Sequence, residues 1–274
     1  MIKLTLIGFV LGITSIIPGI SVATMAVAFN IYTQLINTIV PDIKKLFGAW
    51  KFWLPLVIGG ITGIFFASNI FTVLFNNYEI PTYWFFIGII AGSLPAVYLQ
   101  VSSAKNKLRL PSFPVVICVF LTFALMVIMT ILRPEEGPAV YTELTLPLFG
   151  ILMVVGALSA AAMIIPGISG AFVLLILGFY RTVLQSVSDL NIPLLIPVIL
   201  GAVLGLMLGA ALIRFLLSKA PRLTYGAVLG LVIGSIVVLY PGGFGSGIAG
   251  IIVSIGCLFA GFAVSFMMGK KTKS

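Results

Sequence analysis

Ile17-Pro18-Gly19-Ile20-Ser21 and Ile165-Pro166-Gly167-Ile168-Ser169 are one pentapeptide written twice, 148 residues apart, each inside an apolar stretch. Tyr32 and Tyr180 keep that same offset downstream. Proline removes a backbone donor and clashes with the preceding turn, and glycine tolerates a sharp reversal, so each copy interrupts a hydrophobic helix. Neither interruption carries the polar residues of a water-facing loop, since Ser15 to Ser21 is mostly apolar. The arm before Pro18 is also short for a full crossing. The pattern predicts two re-entrant hairpins with tips inside the membrane. Ten complete spans with tight turns would give the same sidedness. Matched helix breaks in the two halves of a hydrophobic chain point to a transport protein whose binding site lies where two repeats meet.

Composition supports the membrane. Of 274 residues 61% are hydrophobic and only 8% charged, with a mean hydropathy of +1.28. A soluble domain has no use for so much apolar surface, whereas each membrane span takes roughly 20 apolar residues. The N-terminus carries one Lys and no small-residue cleavage site, so it is expected to remain in the mature chain. Continuous spans are expected at about 52–75, 83–101, 112–132, 194–217, 223–240 and 247–268. The net charge of +9 would suggest nucleic acid in a soluble protein; here its distribution accounts for it, and no nucleic-acid partner is expected. Thirteen of the fifteen Lys and Arg fall on one side of the expected topology: Lys3, Lys44, Lys45, Lys51, Lys105, Lys107, Arg109, Arg214, Lys219, Arg222, Lys270, Lys271 and Lys273. Arg133 and Arg181 fall on the other. Cytoplasmic loops collect basic residues, which puts both termini in the cytoplasm of a multi-pass cell-membrane protein.

The repeat extends past the pentapeptide. Pro55, Gly59 and Gly63 match Pro197, Gly201 and Gly205 at an offset of 142, and Thr82-Tyr83, Gly88 and Gly92-Ser93 match Thr224-Tyr225, Gly230 and Gly234-Ser235. The fold class expected is an all-α polytopic membrane protein with an inverted-topology repeat, each half one re-entrant helical hairpin plus three transmembrane helices. The halves divide at 1–140 and 141–274. A hairpin adds no net crossing and three spans add an odd number, so the halves face opposite ways.

Chemistry is expected at the breaks. Helix N-termini attract anions, phosphate above all, through free N–H groups and the aligned peptide dipole. Beyond Pro18 and Pro166 the sequence offers Gly19, Ile20 and Ser21 in one half and Gly167, Ile168, Ser169 and Gly170 in the other. Thr24 adds a hydroxyl whose counterpart is Phe172, which makes any pocket asymmetric. The competing reading is a tight turn whose serine caps its own helix. Tyr32 and Tyr180, eleven residues beyond the serines, are expected on the serine face of a continuous helix, as pathway residues or as interfacial aromatics. Arg181, beside Tyr180, could meet an anionic headgroup or pair with Asp189. Arg214 is expected to snorkel to the cytoplasmic surface. No acid falls in the middle of a span and there is no His. No catalytic acid–base pair, metal site or cofactor is therefore expected. Cys118 and Cys257 lack the spacing of a metal site or a redox pair.

The paired motifs, Ile17-Pro18-Gly19-Ile20-Ser21 followed by VATMAVAFNIY and Ile165-Pro166-Gly167-Ile168-Ser169 followed by GAFVLLILGFY, resemble a bacterial and archaeal membrane family associated with polyprenyl-phosphate transport (PopT-like). The resemblance spans nearly the whole chain. It implies a translocase that returns undecaprenyl phosphate, the lipid carrier of cell-wall sugars, from the outer to the cytoplasmic leaflet. Its partners would be a lipid-linked phosphate and membrane lipids, with homo-oligomerisation left open. Pro18, Gly19, Ile20, Ser21, Pro166, Gly167, Ile168, Ser169 and Gly170 are the motif positions carried over. The first copy departs at Val22 and Asn30, where the second has Gly170 and Gly178. Two alternatives share local features. A secondary transporter of a small soluble anion would use the same breaks. Undecaprenyl-diphosphate phosphatases of the BacA type also have re-entrant hairpins and a PGxS turn, but there an arginine follows with glutamates nearby. Here Gly170-Ala171-Phe172 follows, so a non-enzyme is expected.

Overall fold

The computed structural model describes residues 1–16, 21–39, 48–104, 107–108, 112–131 and 140–269. Pro18, Gly19 and Ile20 lie outside the described residues, as do Lys44, Lys45, Arg133, Glu135 and Glu136. Eleven helices run through the described residues in the order α1 (Ile2–Ile16), α2 (Val22–Ala28), α3 (Tyr32–Thr38), α4 (Trp50–Ser102), α5 (Phe113–Ile131), α6 (Leu146–Ile164), α7 (Gly170–Ile176), α8 (Tyr180–Ser188), α9 (Ile192–Lys219), α10 (Pro221–Leu239) and α11 (Gly247–Gly269). A two-residue ribbon, Ser103–Ala104 against Lys107–Leu108, is the one departure from an all-helical chain among these residues. Tyr78 (φ −138°, ψ 38°) leaves helical geometry and splits α4 into two segments, where the sequence predicts two spans. Six segments have the length and hydropathy to cross a membrane: Tyr78–Ser102, Phe113–Ile131, Leu146–Ile164, Ile192–Lys219, Pro221–Leu239 and Gly247–Met267. The arm ahead of Pro166 is thus as long as a span; the arm ahead of Pro18, at 15 residues, is shorter.

Small residues set the packing. A β-carbon at Gly8 would run into the carbonyl of Leu56, and one at Gly156 into that of Val198. Gly59 lies against the backbone of Thr5 and Phe9, and Gly201 against Met153 and Ala157. Every member of these contacts maps on its counterpart by the offsets of 148 and 142. α1 therefore sits on the first segment of α4 as α6 sits on α9, backbone to backbone, as small-residue faces allow in lipid. The last span of each half crosses over. Gly88 on α4 packs on Leu258 and Phe262 of α11, while Gly230 on α10 packs on Val119 of α5.

Two turns in the hairpins differ from expectation. α2 and α7 are only seven residues long, because Asn30 (φ 59°) and Gly178 (φ 77°) adopt left-handed backbone at equivalent positions. A left-handed residue ends a helix. Tyr32 and Tyr180 consequently open new helices and do not share a helical face with Ser21 and Ser169. α2 forms the centre of the bundle, with Met25, Ala26 and Ala28 fully buried and Phe29 nearly so. In α7 only Gly170 is buried.

Candidate functional site

The second break is built from the residues outward. α6 ends at Ile164, Ile165 turns extended, Pro166 is buried, and Gly167 takes φ 88°. That left-handed value excludes a β-carbon cheaply and lets the chain reverse in one residue. Ile168 N–H closes the turn on the Ile165 carbonyl at 3.2 Å. Ser169 sits at the N-cap of α7 in extended backbone, yet its hydroxyl does not cap the helix. The capping reading of this serine is therefore not what the structure has. Ser159 Oγ donates to the Gly170 carbonyl at 2.9 Å and pins the start of α7 to α6.

Two hydrogen bonds tie the first half to this break. Gly167 N–H donates to Thr24 Oγ1 at 2.6 Å, and Tyr32 Oη donates to the Ile164 carbonyl at 3.0 Å. Both side chains are buried, at 1% and 3% exposure. Thr24 therefore serves the turn and does not face open space, and Gly167 and Ile168 do not offer free N–H groups as expected. The donors left in this turn are those of Ser169, Gly170 and Ala171, the first-turn groups that a helix cannot satisfy itself. Tyr32 caps the last turn of α6. Arg214 does not simply snorkel: Nη1 donates to the carbonyls of Ile36 and Ile39, placing its charge on the C-terminal end of α3, where the dipole favours a cation.

A cavity of about 550 Å³ opens on the break, with Gly167, Ile168, Ser169, Ala171 and Tyr180 in its wall. Tyr83, Thr130 and Tyr240 add hydroxyl-bearing side chains, and Met126, Met129, Phe172 and Leu175 add apolar ones. Among the described residues no lining side chain is charged. Trp84 holds the segment that carries the lining residues Tyr240 and Pro241: its Nε1 donates to the Gly243 carbonyl at 2.8 Å, and its ring stacks on Phe244 at 4.2 Å and meets Tyr240 edge-on at 6.0 Å. Arg181 is exposed outside the lining, while Pro166 and Gly170 are buried behind it. In the other half Ser21 is 6% exposed, and its Oγ is buried without a hydrogen-bond partner. Sequence reasoning missed Tyr240 and the role of Tyr83. The signal was available, since Tyr98 and Tyr240 obey the offset of 142, as do Tyr83 and Tyr225.

A bundle of apolar helices, interrupted at matched positions beside an uncharged cavity of mixed polarity, defines a polytopic membrane protein of the transporter class. The chain belongs to the family described as undecaprenyl phosphate translocase-like, which matches residues 11–244. It is 30% identical to a polyprenyl-phosphate transporter of Staphylococcus aureus over 273 residues, covering 97% of this chain and 95% of that relative. It is 28% identical to a polyprenyl-phosphate transporter of Vibrio cholerae over 202 residues, covering 69% of this chain and 61% of that one. No solved structure matches the chain.

Proposed function

We propose that this protein moves polyprenyl phosphate across the membrane, returning undecaprenyl phosphate from the outer to the cytoplasmic leaflet for reuse in cell-envelope glycan synthesis. The observation that carries the reading is the cavity at the second break. Its wall includes Ser169, with an uncommitted hydroxyl, and the first-turn N–H groups of Ser169 and Ala171. Its wall divides into tyrosine and threonine hydroxyls and a side of Met126, Met129, Phe172 and Leu175. A phosphate head on a prenyl tail has that same division. Neutral donors suit an anion that must later leave, because a hydrogen bond to a charged acceptor is strong without an opposing fixed charge. The relatives' names agree with such a substrate.

The remaining parts of the reading follow from the sequence. The halves are inverted repeats with re-entrant hairpins, both termini are cytoplasmic, and alternating access proceeds around the two breaks. Pro18, Gly19, Ile20 and Ser21 serve as the first-half counterpart of Pro166 to Gly170, and Arg181 stands near the outer entrance. Carriage without catalysis is part of the same reading, in keeping with the relatives' names as transporters. The test is a leaflet-resolved assay in proteoliposomes of known protein orientation, comparing polyprenyl phosphate, free polyprenol and inorganic phosphate. Selective, protein-dependent movement of the lipid phosphate is expected. Movement of inorganic phosphate alone would replace this reading by a soluble-anion carrier, and release of phosphate from a polyprenyl diphosphate would replace it by a phosphatase.

A further inference from the structure

A larger cavity, of about 910 Å³, lies at the opposite end of α10 and of the second segment of α4. Its wall includes Asn30, Thr33, Gln34, Asn37, Gln100 and Tyr225, and among the described residues no charged side chain. Two contacts organise these groups: Gln100 Nε2 donates to Asn30 Oδ1 at 3.2 Å, and the hydroxyls of Thr33 and Tyr225 lie 2.8 Å apart. α3 turns Thr33, Gln34 and Asn37 outward while Ile36 is fully buried. A void this roomy and polar is filled by water or by a polar ligand.

The repeat identifies it. Ala96, Leu99 and Tyr225 line this cavity, and their counterparts at an offset of 142, Val238, Pro241 and Tyr83, line the first. Each half therefore builds one copy of the same cavity. The first wall includes Gly167, Ile168 and Ser169, and the described part of the second includes Ala28 and Asn30. Ser21, the counterpart of Ser169, has a buried and unpartnered Oγ.

We propose that the second cavity is a further binding station for the phosphate headgroup, at the opposite membrane face, held by the amides of Asn30, Gln34, Asn37 and Gln100. It rests on the proposed function and adds a site to it. Amide N–H groups bind an anion through charge-assisted hydrogen bonds. Being neutral, these amides let it go, as a station on a transport path requires.

The experiment uses the full chain with Cys118→Ser and Cys257→Ser, carrying a single cysteine at Leu99→Cys in the second cavity or Ala171→Cys in the first. Labelling by a water-soluble maleimide is timed in detergent, where both cavities are reachable. Polyprenyl phosphate, polyprenol and inorganic phosphate are added in separate arms. The expected result is several-fold slower labelling at both positions with polyprenyl phosphate and no change with polyprenol or inorganic phosphate. Adding Asn37→Asp should abolish protection at Leu99→Cys and keep it at Ala171→Cys. Protection confined to Ala171→Cys overturns the second station while leaving the proposed function standing. Protection at neither sinks the reading beneath it. Equal protection of Leu99→Cys by polyprenol or by inorganic phosphate also overturns the station, as does its persistence with Asn37→Asp.

Discussion

At the scale of the residue, Ser169 holds the decisive position, because its hydroxyl neither caps α7 nor lies buried. Ser169→Ala removes one hydrogen-bonding group and leaves the backbone donors, so affinity for a polyprenyl phosphate should fall by about 1–2 kcal/mol. Ser169→Asp places a carboxylate against those donors and repels an anion, so binding should be lost. Both follow from titrating purified protein with the phosphate and with the alcohol as control; equal affinity for the two ligands, or an unaffected Ser169→Asp protein, removes the site. Ser169 could be read from the sequence because its own neighbours, Pro166 and Gly167, announce a break. Thr24 could be suspected but not placed. Its partner Gly167 stands 143 positions along the chain, and no local pattern reports a contact of that range. The stop ahead of Tyr32 was legible in principle, because Asn30 and Gly178 are the residue types that end a helix in left-handed backbone.

At the scale of the element, close backbone contact carries the packing, and equivalent contacts should respond alike. Gly63 lies against the carbonyl of Phe9 and Gly205 against that of Ala157, whereas Gly256 has nothing within 4 Å. Gly63→Leu and Gly205→Leu should each destabilise the fold by about 1–3 kcal/mol or more, since overpacking against backbone cannot be relieved by a rotamer change. Gly256→Leu should be neutral. Thermal aggregation of detergent-purified variants measures this, and a stable Gly205→Leu protein would contradict the α6–α9 contact. The spans were legible because lipid demands long apolar runs. The boundaries inside the hairpins were not: α2, α3, α7 and α8 are seven to nine residues each, too short for periodicity to speak. Arg214 was likewise read from its place on α9 alone, while α3 decides what it does.

At the scale of the whole molecule, the basic asymmetry predicts sidedness. With Cys118 and Cys257 replaced, cysteines at Glu79 and Glu143 should react with an impermeant reagent applied to intact cells, and cysteines at Lys51 and Lys219 should not. The four sites take one inner and one outer position from each half. Reaction at all four, or at none, would defeat the inverted arrangement.

The crossing-over of the last spans also bears on how the chain is made. The face of α4 that holds Gly88 and Gly92 is completed only by Leu258, Phe262 and Ser265 of α11. Ribosomes add about 5–20 residues per second, so this groove must wait in the bilayer, open to chaperones and proteases, until almost the last helix has been translated. The closing of α11 onto α4 is then the step at which the cell can tell a finished molecule from an unfinished one. A chain ending before Gly247 should insert normally and yet be degraded, and pulse-chase of that truncation against the full chain would follow the difference.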